Sequence, residues 1–336
     1  MSLMDERHLL QRLIAGPVSG DALAREGGQT RAAVWKRIQA LREAGVPIEA
    51  RAGRGYALAS PMDLLDPEAI RGGLSPAIQG SLASLETAWS IDSTNTELLR
   101  RIAPTRGADV LLAERQTGGR GRRGRQWASP LAAHLYLSVS RQFGGGLARL
   151  GGLSLVAGVA AAEALRASGF EVRLKWPNDL VVPNPDGSLR KLGGILVEGG
   201  GEHAGPVRAV IGMGINVRMP AAIAAGIDQP WCDLAGLSAT PPDMPVDRNR
   251  IAAAVLSRLL PALEEFDADG LAPFHARYAG LDALAQRPVT LHTTTGEQCG
   301  IALGLADDGA LRVRLDDGKE RSFHSGEVSV RSGASA

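Results

Sequence analysis

Residues 116–127 read QTGGRGRRGRQW, and the interpretation of the whole sequence starts from this stretch. Glycine lets backbone amides come close to a bound group, and arginine supplies a planar cation that fits phosphate or carboxylate. Trp127 closes the stretch with a flat face that suits an aromatic base. Four glycines stand among four arginines, which are Arg120, Arg122, Arg123 and Arg125. The composition indicates an anion-binding loop, here named the arginine–glycine loop, beside a place for a nucleotide.

Three other interpretations of this loop compete. Gly119, Gly121 and Gly124 formally match the G-x-G-x-x-G fingerprint, and the apolar run 110–113 precedes them. The dinucleotide fold needs a helix directly afterwards and an acidic residue about 20 positions further on. The sequence QWASP at 126–130 follows instead, and no acidic residue lies at that distance, so this fold is disfavoured. An arginine–glycine segment for nucleic acid and a solvated surface loop stay open.

Composition bounds the class of protein. The 336 residues are 44% hydrophobic and 22% charged with a net charge of +1, which is ordinary for a globular chain of two or three domains. Cys232 and Cys299 fit neither a disulfide framework nor a zinc pattern, so we expect the reducing cytoplasm. The charged start lacks the apolar core of a signal peptide. The apolar run 150–162 is shorter than the about 20 residues that span a bilayer.

The N-terminal part has the pattern of a helix-turn-helix. A short helix over residues 20–25 is followed by a glycine turn, and Thr30 is the expected N-cap of a longer helix. Residues 48–58 then read as a basic hairpin, or wing. Nine Lys or Arg stand against six Asp or Glu in residues 1–60, which favours DNA over the alternative of a packing domain with solvated charges. The expected DNA contacts are Arg31, Trp35, Lys36, Gln39 and Arg54.

Two central motifs carry polar side chains at the ends of predicted elements. In DSTN, Thr94 and Glu97 fit a capping box, so this motif is either a helix start or a site where free amides hold a polar ligand. KWPND at 175–179 follows a strand, after a buried helix predicted over residues 147–167. Lys175 there would meet phosphate and Asp179 would hold Mg²⁺, unless the motif is only a β-turn.

Two later strands end or begin with further candidates. Lys191 heads KLGGILVE, whose glycine pair allows close approach to the backbone, although a lone lysine there is more often a solvated edge residue. Asn216 in GMGIN is either a turn residue or a ligand amide. An amphipathic helix is predicted over residues 248–266, and residues 289–331 read as short β-runs that form a small barrel.

The motifs DSTN, GRGRRGRQW, KWPND, KLGGILVE and GMGIN, in this order, resemble those of the bifunctional biotin–protein ligases that are also biotin operon repressors. Gln126 stands where a basic residue is common in that family. The resemblance implies an α+β chain of three domains. It implies a winged helix-turn-helix at 1–63, a mixed sheet like that of class II aminoacyl-tRNA synthetases at 64–283, and an SH3-like β-barrel at 284–336.

The resemblance also implies the chemistry. Biotin and ATP, with Mg²⁺, form biotinyl-5′-AMP, and a lysine of the biotin carboxyl carrier protein of acetyl-CoA carboxylase then takes the biotin. The adenylate-bound protein is expected to form a homodimer on operator DNA of the biotin genes. The rival functions are a lipoate–protein ligase, which shares the chemistry, and a small-molecule-sensing transcription factor, which needs neither Lys191 nor Asp179.

The residue roles follow from the same resemblance, with Lys191, Arg120 and Arg122 as catalytic cations and Asp179 at Mg²⁺. The biotin contacts it implies are Ser93, Thr94, Asn95, Gln116, Arg120, Gly121, Arg122 and Lys191. The ATP or adenylate contacts it implies are Arg122, Trp127, Lys175, Asn178 and Asn216.

Overall fold

The computed structural model describes residues 5–51, 53–144, 146, 150–201, 207–238, 246–293, 296–325 and 329–332. Within these ranges, no helix is both long enough and apolar enough to cross a membrane.

The N-terminal domain is a helix-turn-helix with a β-hairpin. Its elements are α1 (Glu6–Ile14), α2 (Gly20–Glu26), α3 (Arg31–Glu43), β1 (Ile48–Arg51) and β2 (Gly55–Leu58). Each helix begins at a side-chain cap, and the predicted cap Thr30 accepts a hydrogen bond from the Ala33 amide. Helix α3 buries the predicted core residues Val34, Ile38 and Leu41. The wing turn includes residue 52, which lies outside the described residues.

The central domain contains a seven-stranded mixed sheet in the order β3-β4-β5-β9-β8-β7-β6. Only the β3–β4 pair is parallel among the described strand pairs of this sheet. The strands are β3 (Leu82–Ala88), β4 (Ala108–Ala113), β5 (Leu135–Phe143), β6 (Arg173–Lys175), β7 (Asp179–Pro183), β8 (Leu189–Gly201) and β9 (Val207–Ile215). The predicted α+β character with a mixed central sheet is therefore confirmed.

Helices cover this sheet unequally. They are α4 (Pro67–Gly72), α5 (Pro76–Gly80), α6 (Thr94–Arg100), α7 (Leu153–Ala167), α8 (Ala221–Ala224), α9 (Leu234–Leu237), α10 (Arg248–Asp269) and α11 (His275–Leu281). Helix α7 is buried on nearly all sides in the main core, as predicted, and α10 packs beside it. Helix α6 packs Leu98 on Leu111 and Val210 of the opposite face of the sheet. Successive strand residues point to opposite faces, so the α6 face also carries Gly212 and Gly214.

Helix α7 starts later than predicted. The expected start at residue 147 is wrong for the described part, because Gly152 takes a left-handed φ of 82° and the helix begins at Leu153. Residues 147–149 lie outside the described residues. A left-handed residue interrupts the helical backbone, and glycine adopts it at little cost.

The C-terminal domain is a five-stranded antiparallel sheet in the order β13-β12-β11-β10-β14. Its strands are β10 (Pro288–Thr293), β11 (Gly296–Leu305), β12 (Leu311–Leu315), β13 (Glu320–Phe323) and β14 (Ser329–Ser332). In the described part of the chain β13 and β14 are the two edges and do not pair with each other. The predicted β-rich domain is confirmed, but its barrel is not closed by hydrogen bonds between these edges.

Hydrogen bonds and ion pairs are among the contacts that join the described parts of the domains. The Leu131 amide donates to Ala44 O at 2.9 Å, and Leu131 lies in the core of the N-terminal domain. Arg248, whose side chain is 1% exposed, ion-pairs with Asp63 at 2.7 Å and with Glu114 at 2.8 Å. This arginine therefore links the segment that follows the wing to helix α10 and strand β4. On the other side, Trp176 Nε1 donates to Gly309 O in the C-terminal domain at 3.0 Å.

Candidate active site

The uncovered part of the α6 face gathers the predicted central motifs around the N-terminus of α6. Ser93 is the N-cap, and its Oγ accepts from the Thr96 amide at 3.4 Å. The Thr94 amide donates to Gln116 Oε1 at 2.8 Å, and Gln116 Nε2 donates to Ser129 Oγ at 3.4 Å. DSTN is therefore a helix start, but its cap is Ser93 and the expected capping box of Thr94 with Glu97 is wrong, because the Thr94 amide donates to Gln116 and Glu97 binds Arg101. Contact of this helix start with a ligand stays a prediction.

Asn95 is turned inwards rather than towards solvent. Its Nδ2 donates to Glu198 Oε2 at 2.8 Å and to Leu196 O at 3.2 Å. Its Oδ1 lies 2.6 Å from Ser138 Oγ, and Ser138 Oγ lies 2.7 Å from Thr94 Oγ1. The amide is 3% exposed and has its hydrogen-bonding groups satisfied by protein. We name the connected side chains Gln116, Thr94, Ser138, Asn95 and Glu198 the polar relay.

Arg120 is attached to the end of this relay. Its Nη2 donates to Glu198 Oε1 at 2.9 Å and to Oε2 at 3.2 Å, while Nη1 donates to Thr96 Oγ1 at 2.7 Å. The arginine side chain is 35% exposed, so its cation remains accessible to an anionic ligand. Glu198 and Ser138 had not been predicted as site residues. Glu198 closes the KLGGILVE motif, and a charged residue at the end of an otherwise apolar and glycine run was the signal for it.

Trp127 lies flat on a floor of glycines. A methyl group at Gly214 would meet the indole ring at 2.6 Å, and one at Gly194 would meet it at 3.5 Å. These two glycines face each other across the β8–β9 pair. Among the described residues, the buried Nε1 of Trp127 has no hydrogen-bond partner. Gly214 is thus required for this ring position, whereas a methyl group at Gly194 would make an ordinary contact. The sequence had indicated only close approach to a backbone.

Lys191 lies between this tryptophan and a carboxylate. Its Nζ is 5.5 Å from the centroid of the Trp127 ring. The same Nζ is 2.7 Å from Asp179 Oδ1, and the two groups form an ion pair whose geometry does not align them for a hydrogen bond. The side chains are 20% and 21% exposed, so both charges still reach the solvent of the cleft. The structure therefore does not support the reading of Lys191 as a solvated edge residue.

The KWPND motif forms the turn between β6 and β7, where Lys175 pairs with Asp179. Asn178 Nδ2 donates to Ile195 O at 2.8 Å, and its Oδ1 accepts from Arg122 Nη1 at 3.4 Å. Burial lowers the pKa of the Arg122 guanidinium, and the neighbouring charge of Arg123 lowers it further. Arg122 thus brings the arginine–glycine loop against the KWPND turn.

Asn216 supports the backbone beside Lys191. Its Nδ2 donates to Cys232 O at 3.1 Å and lies 3.5 Å from Lys191 O. The Cys232 amide in turn donates to Lys191 O at 3.0 Å. Asn216 is 5% exposed. Burial also raises the pKa of the Cys232 thiol to about 11, so this cysteine stays protonated near neutral pH.

The predicted DNA contacts lie apart from this cleft, on the N-terminal domain. Arg31 is exposed and pairs with Asp21 at 3.1 Å. Trp35 is 54% exposed, and its Nε1 lies 3.3 Å from the Gln39 amide oxygen in the orientation that satisfies both groups. Lys36 and Arg54 are also exposed. An exposed tryptophan beside basic residues is an unusual surface for a domain that only packs.

No group of three or more His, Cys, Asp or Glu side chains that could hold a metal ion occurs in the described ranges. Asp179 is therefore a single carboxylate candidate. Mg²⁺ commonly takes one or two protein carboxylates, several waters and the phosphates of its substrate. The single carboxylate at the cleft fits that arrangement, although it does not make a preformed metal cage.

Comparison with known families covers most of the chain. The model of the biotin/lipoate A/B protein ligase family matches residues 88–216. A helix-turn-helix domain model matches residues 6–57, and the biotin protein ligase C-terminal domain matches residues 287–331. These three matches follow the three units of the fold.

Similar proteins and structures agree with these matches. The chain is 42% identical to the bifunctional ligase/repressor BirA of Salmonella typhimurium and to that of Escherichia coli, over 94% of this chain and 93% of each relative. The biotin–[acetyl-CoA-carboxylase] ligase of Paracoccus denitrificans is 35% identical over 68% of this chain and 93% of its own. The structure of the Aquifex aeolicus biotin protein ligase in complex with biotin and ATP aligns with a TM-score of 0.60 at 26% identity, covering 75% of this chain and 100% of that one. This chain therefore belongs to the biotin/lipoate protein ligase family and, within it, to the biotin–protein ligases of the bifunctional ligase/repressor type.

Proposed function

We propose that this chain joins biotin to AMP from ATP and transfers the biotin to a lysine of the biotin carboxyl carrier protein of acetyl-CoA carboxylase. We also propose that it represses biotin genes as an adenylate-bound homodimer. The observation that carries the ligase proposal is the position of Lys191, 5.5 Å from the Trp127 ring and 2.7 Å from Asp179. It places a cation, a carboxylate and a flat aromatic face in one cleft.

The first step needs cations because its two reactants repel each other. The biotin carboxylate attacks the α-phosphate of ATP, and pyrophosphate leaves. Lys191, Arg120 and Arg122 would neutralise these anions and stabilise the charge that develops between them. Preorganised cations act strongly in a cleft from which water is partly excluded. No side-chain nucleophile is needed, since the carboxylate of biotin itself attacks.

Asp179 would hold Mg²⁺ together with the phosphates, and the ion would supply further neutralisation of their charge. Lys191, now paired with Asp179, would then be released towards the reacting carboxylate and phosphate. Lys175 lies on the same turn and would contribute a further cation to the phosphates.

The ureido ring of biotin and the adenine of ATP would be bound by different side chains. Thr94, Gln116 and Ser93 would hydrogen-bond the ureido ring of biotin, since a polar ring in an apolar pocket is oriented by a few fixed partners. Trp127 would stack on adenine, with Asn178 beside it. The inward direction of the Asn95 and Asn216 amides favours a supporting role for both of them over direct contact.

The second step is aminolysis of the adenylate. The carrier lysine attacks the acyl carbon, the acyl–phosphate bond breaks and AMP leaves. Water would compete with the lysine, so the arginine–glycine loop would close over the adenylate and exclude water until the carrier arrives.

The repressor half rests on the N-terminal domain. Helix α3 presents Arg31, Trp35 and Lys36 outwards, which suits docking in a major groove with the wing on the adjacent backbone. A symmetric homodimer would present two such helices to two half-sites of an operator.

The finer domain description is also part of the proposal. We place the boundaries at 1–63, 64–283 and 284–336. The mixed sheet with helices mainly on one face supports a class II synthetase-like central domain. The antiparallel order of the described strands of the C-terminal sheet supports an SH3-like barrel.

The test of the ligase is incubation with biotin, ATP–Mg²⁺ and a carrier domain, followed by intact mass measurement of the carrier. We expect a gain of one biotinyl group that requires ATP. A parallel reaction with lipoate and a lipoyl domain tests the rival activity. An unchanged carrier mass with biotin, or a gain only with lipoate, would contradict the proposal.

A further inference from the structure

We propose that Glu198 is a positioning residue for the biotin side of the cleft, an inference that rests on the proposed function. Glu198 does this by accepting hydrogen bonds from Asn95 and Arg120 at the same time. It thereby fixes both the direction of the Asn95 amide and the place of the Arg120 cation.

The register of the sheet explains how one carboxylate reaches both partners. Glu198 pairs with Val210 across β8 and β9, and Val210 packs against helix α6 on the α6 face of the sheet. Glu198 therefore lies on the same face as α6 and the arginine–glycine loop. Gly212 clears the space for Asn95 between them, because a methyl group at that position would overlap Asn95 Oδ1.

The direction of the Asn95 amide follows from the chemistry of its neighbours. Glu198 Oε2 and Leu196 O, at 2.8 Å and 3.2 Å from Nδ2, are both acceptors. The NH₂ group must face them, so Oδ1 faces Ser138 Oγ at 2.6 Å. An amide oxygen only accepts, and the single hydroxyl proton of Ser138 is therefore directed to Asn95.

This direction is passed on to the side chains expected to meet biotin. With its proton committed to Asn95, Ser138 can only accept at the 2.7 Å contact with Thr94 Oγ1. Thr94 Oγ1 also lies 3.1 Å from Gln116 Oε1, a second acceptor, so its single proton stays within the relay and its lone pairs are left for a ligand N–H. Gln116 Oε1 is held by the Thr94 amide at 2.8 Å, so its NH₂ group is directed away from Thr94. The relay thus presents one acceptor and one donor, which is the pattern that a cyclic urea complements.

Glu198 holds the arginine with the same two oxygens. Both Oε atoms accept from Arg120 Nη2, at 2.9 Å and 3.2 Å. Glutamine in place of Glu198 offers one oxygen and one NH₂ group. With its oxygen at the Oε2 position, glutamine still accepts from Asn95, but its NH₂ group faces Arg120 Nη2. With its oxygen at the Oε1 position, the NH₂ group faces Asn95 Nδ2 instead. The Glu198→Gln variant therefore keeps the shape of the side chain and removes its charge together with the double acceptance.

The experiment measures biotin binding by calorimetry and the steady-state constants of ATP-dependent pyrophosphate release for Glu198→Gln. One misdirected polar contact corresponds to about tenfold in affinity, so we expect the Kd and KM for biotin to rise about tenfold. The KM for ATP should change less than about twofold. The matched control is Glu86→Gln, which removes a comparable arginine–carboxylate pair, Glu86–Arg101 at 3.0 Å, on the edge strand β3. Glu86→Gln should leave the Kd and the KM for biotin unchanged.

A second variant separates positioning from a merely structural role. Ser138→Ala interrupts the relay at its centre and should also raise the Kd for biotin. If Glu198 acts through the relay, adding Glu198→Gln to the Ser138→Ala variant should raise the Kd for biotin by a clearly smaller factor than Glu198→Gln does in the wild type. Wild-type biotin constants in Glu198→Gln, or full additivity of the two variants, would overturn the inference. An inactive wild-type protein would instead refute the proposed ligase function. If Glu198→Gln does not fold, an unchanged Kd in Ser138→Ala would still contradict the relay.

Discussion

Arg248 Nη1 donates a 2.8 Å hydrogen bond to Glu114 Oε2, and both side chains are at most 3% exposed. Asp63 binds the same arginine at 2.7 Å. Burial lowers the pKa of Arg248, but the two carboxylates raise it by more, so the pKa of Arg248 is raised overall. Glu114 also accepts from the Leu65 amide. The start of α10, the end of β4 and the segment after the wing therefore meet at one guanidinium.

Arg248→Met should destabilise the protein strongly. Removal of one partner leaves Glu114 buried without its counter-charge, which costs about 3–5 kcal/mol. Urea unfolding at neutral pH measures the loss. The matched control is Arg312→Met, because the Arg312–Glu320 pair at 3.0 Å is half exposed and should contribute at most about 1 kcal/mol. Equal effects of the two substitutions would contradict this account.

His134 should make the free energy of unfolding depend on pH. Burial lowers the pKa of His134 to about 3, and its Nδ1 accepts from the Val217 amide at 3.1 Å. The unfolded chain binds a proton near pH 6.5 whereas the folded chain does not, so this stability is present above about pH 6.5 and is lost as the pH falls. Between pH 7.5 and pH 5, the free energy of unfolding of the wild type should fall by about 2 kcal/mol more than that of the His134→Asn variant. If the free energy of unfolding depends on pH in the same way in both proteins, His134 is not the source of the effect.

Lys191→Ala should slow adenylation while the fold stays intact. The lost charge-assisted contact corresponds to about 1.5–3 kcal/mol, or roughly ten- to a hundredfold in rate. Pyrophosphate release measures the rate and thermal unfolding checks the fold. Lys319→Ala, which removes an exposed lysine 3.9 Å from Asp317, serves as the control. A wild-type rate in Lys191→Ala would exclude the catalytic role.

Arg122→Gly should release biotinyl-5′-AMP into solution. Arg122 joins the arginine–glycine loop to Asn178 at 3.4 Å, so its loss should loosen the closed loop more than it slows transfer. Free adenylate and biotinylation of bystander proteins should both rise. Arg125→Gly, at an exposed position of the same loop, should change them little. If both readouts stay at the wild-type level in Arg122→Gly, this loop is not the lid.

Deletion of residues 1–63 should abolish operator binding and leave measurable ligase activity, because the proposed active-site residues lie beyond that segment. Asp63 and the core around Leu131 are lost or uncovered, so the fragment should also unfold at a lower temperature. Full-length protein should prefer its own biotin promoter over random DNA, most strongly with biotinyl-5′-AMP, and binding should weaken steeply with salt. Anisotropy titrations decide this. Absence of any preference would refute the repressor half alone.

Local signals in the sequence predicted local structure well. Thr30 caps α3 as expected, and the residues of DSTN, KWPND and KLGGILVE lie in one cleft. The partner of Asn95 could not be predicted, because Glu198 is 103 positions away and reaches it only through the register of β8. The inward direction of Asn216 likewise depends on the backbone at Cys232. Whether a strand run closes into a barrel depends on the meeting of distant edges, for which the sequence carries no local signal.

The hydrogen bond from Trp176 to Gly309 has a consequence for protein synthesis. Trp176 belongs to the turn that carries Lys175 and Asn178, and its indole partner lies more than 130 residues later in the chain. A ribosome-bound chain can therefore complete its central sheet while this turn still lacks the partner of its tryptophan. The partner becomes available only after the C-terminal domain has emerged, so we expect newly made chains to acquire full nucleotide affinity only after that domain has folded.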